Sequence, residues 1–419
     1  MKKIKQYKKY KPSGQEWIGE IPEHWTVLPL KRIATAILGK MLTPEQKPGF
    51  VKLPYLRAQN IRWFRPDISD VKEMWFSPIE AEKLQIQTGD LLVSEGGEVG
   101  RSCIWAAELE ACYVQNSVHI VRVNDPHDPK YILYLFFIAA EKGLFDAIVN
   151  RISIAHLTSE KLKDVKFILP PEVEQKAISS YLAVKTTLID ETIVKKERLI
   201  QLLQEERTAL INKAVTRGLD DSVQLKDSGV EWLGSIPKHW VLKKLRYLCK
   251  IQTGSKNTED RCEAGTYPFY VRSQTVEQIN THSFDCEAIL TAGDGVGVGK
   301  VFHYYVGKFD VHQRVYVLSE FNQINGKLLF NYLRSNFWKE VLRWNAKSTV
   351  DSLRLPLFQN FLVCYPTDPQ EQRSICEFVD RKNIEITGTI TKIQKEIQLL
   401  QEYRTSLINE VVTGKRSVL

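Results

Sequence analysis

One stretch of this 419-residue chain occurs in two similar copies: LLQEERTALINKAVT, from Leu202 to Thr216, and LLQEYRTSLINEVVT, from Leu399 to Thr413. Eleven of the fifteen positions are identical at a constant offset of 197. Each copy belongs to a longer helical segment that follows a proline-containing turn and begins with the same Glu-Gln pair, Glu174-Gln175 or Glu371-Gln372. The two segments are therefore two versions of one element.

Seam positions recur in both segments at spacings of three and four, the pattern of a coiled coil. They are Ile189, Ile193, Ile200, Leu203, Arg207 and Leu210 in the first segment, and Ile386, Ile390, Ile393, Ile397, Leu400, Arg404 and Leu407 in the second. A helix of about 45 residues is roughly 65 to 70 Å long. Since no globular core needs such a length, we predict two spacer helices, at 172–217 and 369–419, that pair antiparallel within the chain.

Three positively charged side chains interrupt these seams. Lys196 replaces an apolar residue in the first segment, and Arg207 and Arg404 stand at equivalent positions. An arginine in a seam is costly unless it has a partner or reaches solvent. The sequence leaves open whether these arginines fix the register of the helices or extend their charged ends into water.

A second repeat precedes each helix at a longer distance. SGQEWIGEIPEHW, Ser13 to Trp25, returns as SGVEWLGSIPKHW, Ser228 to Trp240, with nine of thirteen positions identical at an offset of 215. Two tryptophans and an Ile-Pro turn favour a segment pinned onto a neighbouring surface, with direct ligand contact as the alternative.

The sequence between these repeats predicts α+β domains. Short β-prone runs are broken by Gly, Pro and Asp, and one helical segment is expected at Pro129 to Ile148. YLRAQNI, from Tyr55, aligns with YVRSQTV, from Tyr270, again at an offset of 215. We therefore predict two related globular domains, each followed by a long helix: 1–171, 172–217, 218–368 and 369–419.

The amino-acid composition limits the classes of protein to which this chain can belong. A net charge of +8 favours a polyanionic partner, but only weakly. Seven scattered cysteines without a Cys-x-x-Cys pair favour a reducing cytoplasm and no structural zinc. Six lysines among the first eleven residues form a basic tail, and no apolar segment is long enough to span a bilayer. We expect a soluble protein that is not exported and has no membrane partner.

The chain lacks the local motifs of nucleotide binding and catalysis. Gly293, Gly295, Gly297 and Gly299 precede Lys300, but neither the phosphate-binding loop nor the dinucleotide-binding spacing is satisfied. A tight connection between strands is the better interpretation. The histidines show no metal-ligand spacing, and neither hydrolytic nor base-methylation motifs occur. We predict no catalytic residue and no metal site.

Polar and cationic side chains in the two domains are candidates for DNA contact. Arg, Gln and Asn can pair with base edges in the major groove, and lysines can hold phosphates, although each can equally satisfy carbonyl groups or face solvent. The candidates in the first domain are Lys40, Arg57, Gln59, Asn60, Arg62, Trp63, Arg101, Gln115 and Asn116. Those in the second domain are Lys256, Asn257, Arg272, Gln274, Lys300, Gln313 and Arg314. Gln115-Asn116 is expected to correspond to Gln313-Arg314.

With the repeated tryptophan segment, the proline-containing helix entries that lead into Glu-Gln, and the alternation of globular and coiled regions, the chain resembles the specificity subunits of type I restriction-modification systems. The resemblance covers nearly the whole chain. It implies two target-recognition domains, each reading one half of a split, asymmetric site in double-stranded DNA, held apart by the antiparallel helices in a pseudo-twofold repeat.

The resemblance also implies partners and cofactors. Two modification subunits would supply methyl transfer from S-adenosylmethionine, and restriction subunits would supply ATP- and magnesium-dependent translocation and cleavage, while this subunit needs no cofactor and catalyses nothing. Two other classes remain as alternatives: a fused enzyme acting on DNA, and a coiled-coil adaptor that does not touch nucleic acid. Missing methylation and nuclease motifs oppose the first, and salt-dependent duplex binding would exclude the second.

Overall fold

The structure, a computed structural model, describes residues 5–149, 156–345 and 353–419. The chain divides into two compact units. The first comprises residues 1–195 together with 396–419, and the second comprises residues 196–395. Each unit therefore contains one globular domain and a part of each long helix. The domain boundaries drawn from the sequence, which separate helices from globular regions, stay a prediction.

The first unit contains eleven strands among its described residues. They are β1 (Tyr10–Pro12), β2 (Glu20–Pro22), β3 (Thr26–Pro29), β4 (Ala34–Leu38), β5 (Val51–Leu56), β6 (Lys72–Phe76), β7 (Leu91–Ser94), β8 (Ser102–Ile104), β9 (Tyr113–Val114), β10 (Val118–Val123) and β11 (Lys166–Leu169). A four-stranded sheet has the order β4-β10-β7-β8, and a three-stranded sheet has the order β6-β5-β9. β1 pairs with β2, and β3 pairs with β11. The central strands β7 and β10 are covered on both faces, and all four residues of β7 and the first four of β10 are buried.

Helices pack against the sheets of the first unit. They are α1 (Pro78–Leu84), α2 (Pro129–Glu141), α3 (Leu144–Ile148) and α4 (Ser159–Asp164), followed by the long α5 (Glu172–Arg217). α2 is buried on all sides from Tyr131 to Ala139, so it forms the centre of the core of the first unit. No helix in the described ranges is long and apolar enough to cross a membrane.

The predicted single helix at Pro129 to Ile148 is wrong in detail. It is two helices, α2 and α3, because Gly143 adopts a left-handed conformation with φ of 70° between them. The sequence analysis also missed α1 and α4. α1 begins with a capping box in which Ser77 and Glu80 exchange hydrogen bonds, and this signal is readable in the sequence as Ser-x-x-Glu.

The second unit repeats this plan. Its strands are β12 (Leu225–Asp227), β13 (Ser235–Pro237), β14 (Val241–Lys244), β15 (Lys250–Thr253), β16 (Tyr267–Tyr270), β17 (Val276–Ile279), β18 (Phe284–Ala292), β19 (Phe302–Val311), β20 (Val315–Ser319) and β21 (Leu362–Tyr365). One six-stranded sheet has the order β15-β20-β18-β19-β16-β17. The helices are α6 (Gly326–Asn345), α7 (Leu355–Gln359) and the long α8 (Pro369–Val412), which ends before the predicted limit of 419.

Equivalent backbone hydrogen bonds show that the two domains share one scaffold. Leu30 N donates to Val165 O in the first unit, and Leu245 N donates to Phe361 O in the second. Leu157 N donates to Glu95 O, and Leu353 N donates to Gly293 O. The predicted relation between the two domains is confirmed by contacts that do not depend on side-chain identity.

A buried carboxylate joins the tryptophan segment to the start of α5. Glu174, near the first turn of the helix, accepts hydrogen bonds from Trp25 Nε1 at 3.1 Å and from the Tyr7 hydroxyl, and it lies 2.9 Å from His24 Nε2. In the second unit Glu371 accepts from Trp240 Nε1 at 2.8 Å and lies 3.0 Å from His239 Nε2. We call these two arrangements the carboxylate clamps.

The glutamine next to each clamp ties the same helix to the globular domain. Gln175 donates to Pro170 O at 2.8 Å and accepts from Asp128 N at 3.0 Å. Gln372 makes the equivalent bonds with Pro366 O and Asn325 N, at 2.8 and 2.6 Å. The repeated Glu-Gln pair and the repeated His-Trp pair are thus parts of one contact, and the predicted packing role of the tryptophans is confirmed.

The seam positions of both long helices lie at buried or half-buried sites. Ile189, Ile386, Ile390, Ile393 and Leu407 are buried, and Ile193, Ile200, Leu203, Arg207, Leu210, Ile397, Leu400 and Arg404 are half-buried. Within the first unit, Arg404 Nε lies 2.9 Å from Asp190 Oδ1 in an ion pair, while Nη2 donates to Oδ2 at 3.4 Å. The Arg404 guanidinium also lies 4.7 Å from the Phe64 ring centroid. Of the two possibilities left open for Arg404, the structure therefore favours a partnered side chain.

We predict that Trp25→Phe destabilises the first unit more than Trp17→Phe does. The first change removes a hydrogen bond to a buried carboxylate, which is worth about 1.5–3 kcal/mol in addition to the lost volume. Trp17 Nε1 has no partner among the described residues, so its removal costs no hydrogen bond. Hydrogen exchange of the β10 amides measures the opening free energy of this unit. Equal losses in the two variants, after correction for ring burial, would contradict the role of the clamp.

Candidate nucleic-acid interface

The candidate residues of the second unit lie on four loops that hydrogen bonds bring to one edge of the sheet. Lys256 pairs with His312 in an isolated parallel bridge, and Gln313 N donates to Lys256 O at 2.8 Å. His312 N donates to Tyr270 O at 3.0 Å, and Gly293 N donates to Arg314 O at 2.8 Å. All of these bonds are made by the backbone, so they do not depend on which side chains the loops carry.

Glycines allow these loops to approach one another. A Cβ atom on Gly254 would lie 2.0 Å from Val311 O, and one on Gly297 would lie 2.5 Å from Arg272 O. Larger residues do not fit at either position. The glycine run therefore connects β18 to β19 and supports the neighbouring loop, which confirms the interpretation as a tight strand connection.

The first unit builds the same edge. Lys40 forms a parallel bridge with Gln115, and Asn116 N donates to Lys40 O at 2.9 Å. Gln115 N donates to Leu56 O at 2.9 Å, and Glu95 N donates to Ser117 O at 2.9 Å. We call these two sets of loops the recognition edges.

The hydrogen bonds correct the predicted correspondence between the domains. Asn116 matches Gln313, since both donate to the equivalent lysine, so Gln115 matches His312 and not Gln313. Leu56 likewise matches Tyr270, which places Ala58 and not Arg57 opposite Arg272. The alignment of YLRAQNI with YVRSQTV is therefore shifted by one residue. The preceding loops differ in length by two residues: Lys40 stands 16 residues before Leu56, and Lys256 stands 14 before Tyr270.

Most cationic candidates of the first edge are paired with carboxylates. Lys40 lies beside Glu80 and is only 9% exposed at its side chain, and Arg57 Nη2 donates to Asp70 Oδ2 at 2.8 Å. Arg101 donates to Glu98 at 2.8 Å, and Trp63 Nε1 donates to the other oxygen of the same carboxylate, also at 2.8 Å. The exposed Arg62 lies 3.8 Å from Asp67.

The amides of the first edge fall into two groups. Asn60 is 2% exposed; its Oδ1 accepts from Arg57 N at 3.0 Å and its Nδ2 donates to the carbonyls of Asp67 and Asp70. We therefore assign Asn60 to the structure of its loop and not to contact with a ligand. Gln59 is exposed and lies 3.5 Å from Asp70, and Gln115 and Asn116 are half-buried.

In the second edge, two arginines share one carboxylate. Arg272 Nη1 donates to Asp294 Oδ1 at 3.0 Å, and Arg314 Nη1 donates to Oδ2 of the same carboxylate at 2.6 Å. Burial raises the pKa of Asp294, but the hydrogen bonds from the two arginines outweigh it and hold this pKa below its ordinary value. Burial and then the two guanidinium charges lower the pKa of His312. The site is therefore two cations around one ionised carboxylate.

The remaining candidates of the second edge surround this group. Gln313 Nε2 donates to Asn257 Oδ1 at 2.6 Å, and Gln274 Nε2 donates to Lys300 O at 3.3 Å. Lys300 is exposed and Lys256 is half-buried. Sequence analysis missed the carboxylates of both edges, because partners such as Glu80 and Asp294 are distant in sequence from the cations they hold.

Comparison with known proteins assigns the chain to a family. The type I restriction modification DNA specificity domain matches it twice, at residues 22–204 and 237–399. Because these matches cover most of the sequence, the chain belongs to this family.

Named relatives agree with this assignment. The EcoDI specificity subunit of Escherichia coli is 30% identical over 182 residues, which are 43% of this chain and 40% of that subunit. In that alignment the chain spans less than half the length of its relative. The MjaVIII specificity subunit of Methanocaldococcus jannaschii is 24% identical over 94% of this chain and 93% of the relative.

Solved structures show the same fold. One, described as the structural basis of complex assembly and conformational transition of the type I R-M system, has a TM-score of 0.72 at 13% identity and covers 94% of this chain and 98% of its own. The HsdS subunit from Thermoanaerobacter tengcongensis has a TM-score of 0.56 at 13% identity, with coverage of 94% and 98%. This chain therefore has the two-domain helix-and-strand fold of specificity subunits.

We predict opposite outcomes for two neighbouring amides of the first edge. Asn60→Ala leaves buried backbone groups without partners and should lower the opening free energy of the first unit by about 1–3 kcal/mol. Gln59→Ala, at an exposed position, should change it by less than about 0.5 kcal/mol. Hydrogen exchange in β5 and β10 gives both values. An Asn60→Ala variant as stable as the wild type would contradict the structural role and make Asn60 a candidate for ligand contact again.

Proposed function

We propose that this protein is a non-catalytic subunit that gives a type I restriction-modification complex its DNA sequence specificity. Each recognition edge reads one half of a bipartite, asymmetric site in double-stranded DNA. The observation that carries the proposal is the pair of recognition edges: one backbone scaffold, used twice, presents different cationic and amide side chains. Side chains of these types read base edges and hold phosphates.

The long helices set the distance between the two half-sites in this proposal. They pair antiparallel as a coiled coil and give the chain a pseudo-twofold repeat. The contact of Arg404 with Asp190 supports antiparallel pairing within the first unit, and the approach of Gly218 to Glu371 supports it within the second. Helices roughly 65–70 Å long suit half-sites on the order of one to two duplex turns apart.

Two modification subunits dock on this protein and use S-adenosylmethionine, and restriction subunits use ATP and magnesium; this chain itself binds no cofactor. The cytoplasm is the proposed location, which the seven unpaired cysteines support. A partner that binds twice requires two similar surfaces, and the most faithfully repeated part of the chain supplies them.

Two equivalent grooves lie beside the repeated helix sequence. The groove of the second unit lies between α5 and α6 with a volume of about 570 Å³, and that of the first lies between α8 and α2 with a volume of about 510 Å³. Their helical walls share the pairs Gln204 and Gln401, Glu205 and Glu402, Thr208 and Thr405, and Asn212 and Asn409. Gln204, Glu205, Thr208, Gln401 and Glu402 are exposed, and Asn212, Thr405 and Asn409 are half-buried. Identity at exposed positions favours a common partner over a role in internal packing.

We predict that Thr208→Arg and Thr405→Arg each remove one modification subunit from the complex, because a long cation enters one groove and leaves the other unchanged. Glu206→Arg, on the same helix but outside the groove, is the control. Native mass spectrometry should give two subunits for the wild type and the control, one for each single variant, and none for the double variant. Two subunits bound to the double variant would exclude the grooves as docking sites.

We predict that exchange of residues 26–170 for the equivalent domain of a relative changes one half of the methylated motif and leaves the other half intact. The reason is that each domain holds its recognition edge with its own backbone hydrogen bonds. Methylome sequencing of a host that carries the complete system reads the result. A motif in which both halves change together would refute the assignment of one domain to one half-site.

A further inference from the structure

We propose that the second recognition edge reads a guanine with Arg272 and Arg314. In this proposal Asp294 is the positioning residue that fixes the orientation of both guanidinium groups before DNA binds. This inference rests on the proposed function. It adds the chemical identity of the base that this edge selects and the residue on which the selection depends.

The geometry leaves the arginines able to bind a ligand. Each guanidinium has five N–H donors and gives one Nη1 contact to Asp294, at 3.0 Å for Arg272 and 2.6 Å for Arg314. Their side chains are 45% and 60% exposed, whereas that of Asp294 is 21% exposed. The carboxylate therefore lies at the base of the group, and the arginines carry most of their remaining donors towards solvent.

The backbone around this group is held from several directions. Arg314 O accepts from Gly293 N, next to Asp294, and Arg314 N donates to His312 Nδ1 at 3.1 Å. Arg272 O lies against Gly297, where no Cβ would fit. A flexible arginine loses side-chain entropy when it is fixed, and a guanidinium that is already held loses less on binding.

The central carboxylate favours a base edge over a phosphate as the ligand. Asp294 offsets one of the two guanidinium charges, which weakens the attraction of the group for a negatively charged phosphate. The major-groove edge of guanine is uncharged and presents two acceptors, O6 and N7, that match a guanidinium in a bidentate contact. Two positive groups around one negative group therefore suit a neutral, acceptor-rich ligand.

The first recognition edge lacks this arrangement. The backbone correspondence places Ala58 opposite Arg272, Gly96 opposite Asp294 and Ser117 opposite Arg314. None of these three residues is charged, and Ser117 Oγ instead accepts from Ala58 N at 3.2 Å. The two halves of the site are thus read by different chemistry, and the arginine pair belongs to the half read by the second domain.

The test uses the complete complex with its modification subunits and a duplex that carries the motif found by methylome sequencing. In the half that follows the second domain, each guanine is replaced in turn by 7-deazaguanine, which lacks the N7 acceptor. We expect one replacement to weaken binding by about tenfold in the wild type, equivalent to about 1.4 kcal/mol. The same replacement should have no further effect in the Arg272→Ala, Arg314→Ala double variant. A half-site without guanine, unchanged wild-type affinity for every replaced duplex, or equal losses in wild type and double variant would overturn the inference.

Asp294→Asn tests the positioning role. Loss of the charge should reduce affinity for the motif by about tenfold while affinity for a scrambled duplex stays level or rises, because a negative charge has left the surface. A residue with only a structural role would lower both affinities, and that outcome would overturn the role proposed for Asp294. Asp70→Asn, which releases Arg57 at the first edge, is the matched control and should leave the 7-deazaguanine effect at the second half unchanged.

Failure of this inference is distinct from failure of the proposed function. One outcome is a complex that prefers its motif to a scrambled duplex and yet binds every duplex containing 7-deazaguanine with unchanged affinity. That result refutes only the proposal that Arg272 and Arg314 read a guanine. A complex with no preference between the two duplexes refutes the specificity function itself, and the inference with it.

Discussion

The hydrogen-bonded carboxylate at the start of each long helix, buried at Glu174 and 29% exposed at Glu371, is the constraint on which the rest of this structure depends. A carboxylate removed from water is costly unless donors satisfy it, and Glu174 and Glu371 are satisfied by a tryptophan and a histidine from a segment about 130 to 150 residues away in the chain. The position near a helix N-terminus adds a favourable interaction with the helix dipole. Each globular domain is therefore attached to its helix at a defined point and in a defined direction.

That attachment separates two kinds of residue in the chain. Residues of the carboxylate clamps must remain as they are, because each donor or acceptor has its partner in the other element. Residues at the recognition edges are joined through backbone atoms, such as Asn116 N to Lys40 O, and their side chains are not needed for this contact. The repeats that are visible in the sequence mark the first kind, and the diverged positions between them include the second.

Sequence alone was sufficient for the repeated architecture. The long helix α5 has the limits expected from its period, and burial of Trp25 and Trp240 followed from their place in a repeated segment. The recognition edges were less accessible. Residue types selected loops that main-chain hydrogen bonds bring together, but the backbone moved the correspondence by one residue, and Asn60 proved to be internal. Ion pairs such as Arg57 with Asp70 and Arg314 with Asp294 join different loops, and no local pattern encodes them.

The backbone construction of the recognition edges has a consequence for evolution. A substitution at Gln313 or Arg314 alters the surface that the edge presents, but it removes none of the main-chain hydrogen bonds that hold the loops together. Mutations there lose side-chain contacts, such as the ion pair of Arg314 with Asp294, but they leave the main-chain framework of the edge intact. A lineage can therefore explore new side chains at one edge while the other edge, built by separate hydrogen bonds in its own unit, keeps its ancestral selectivity.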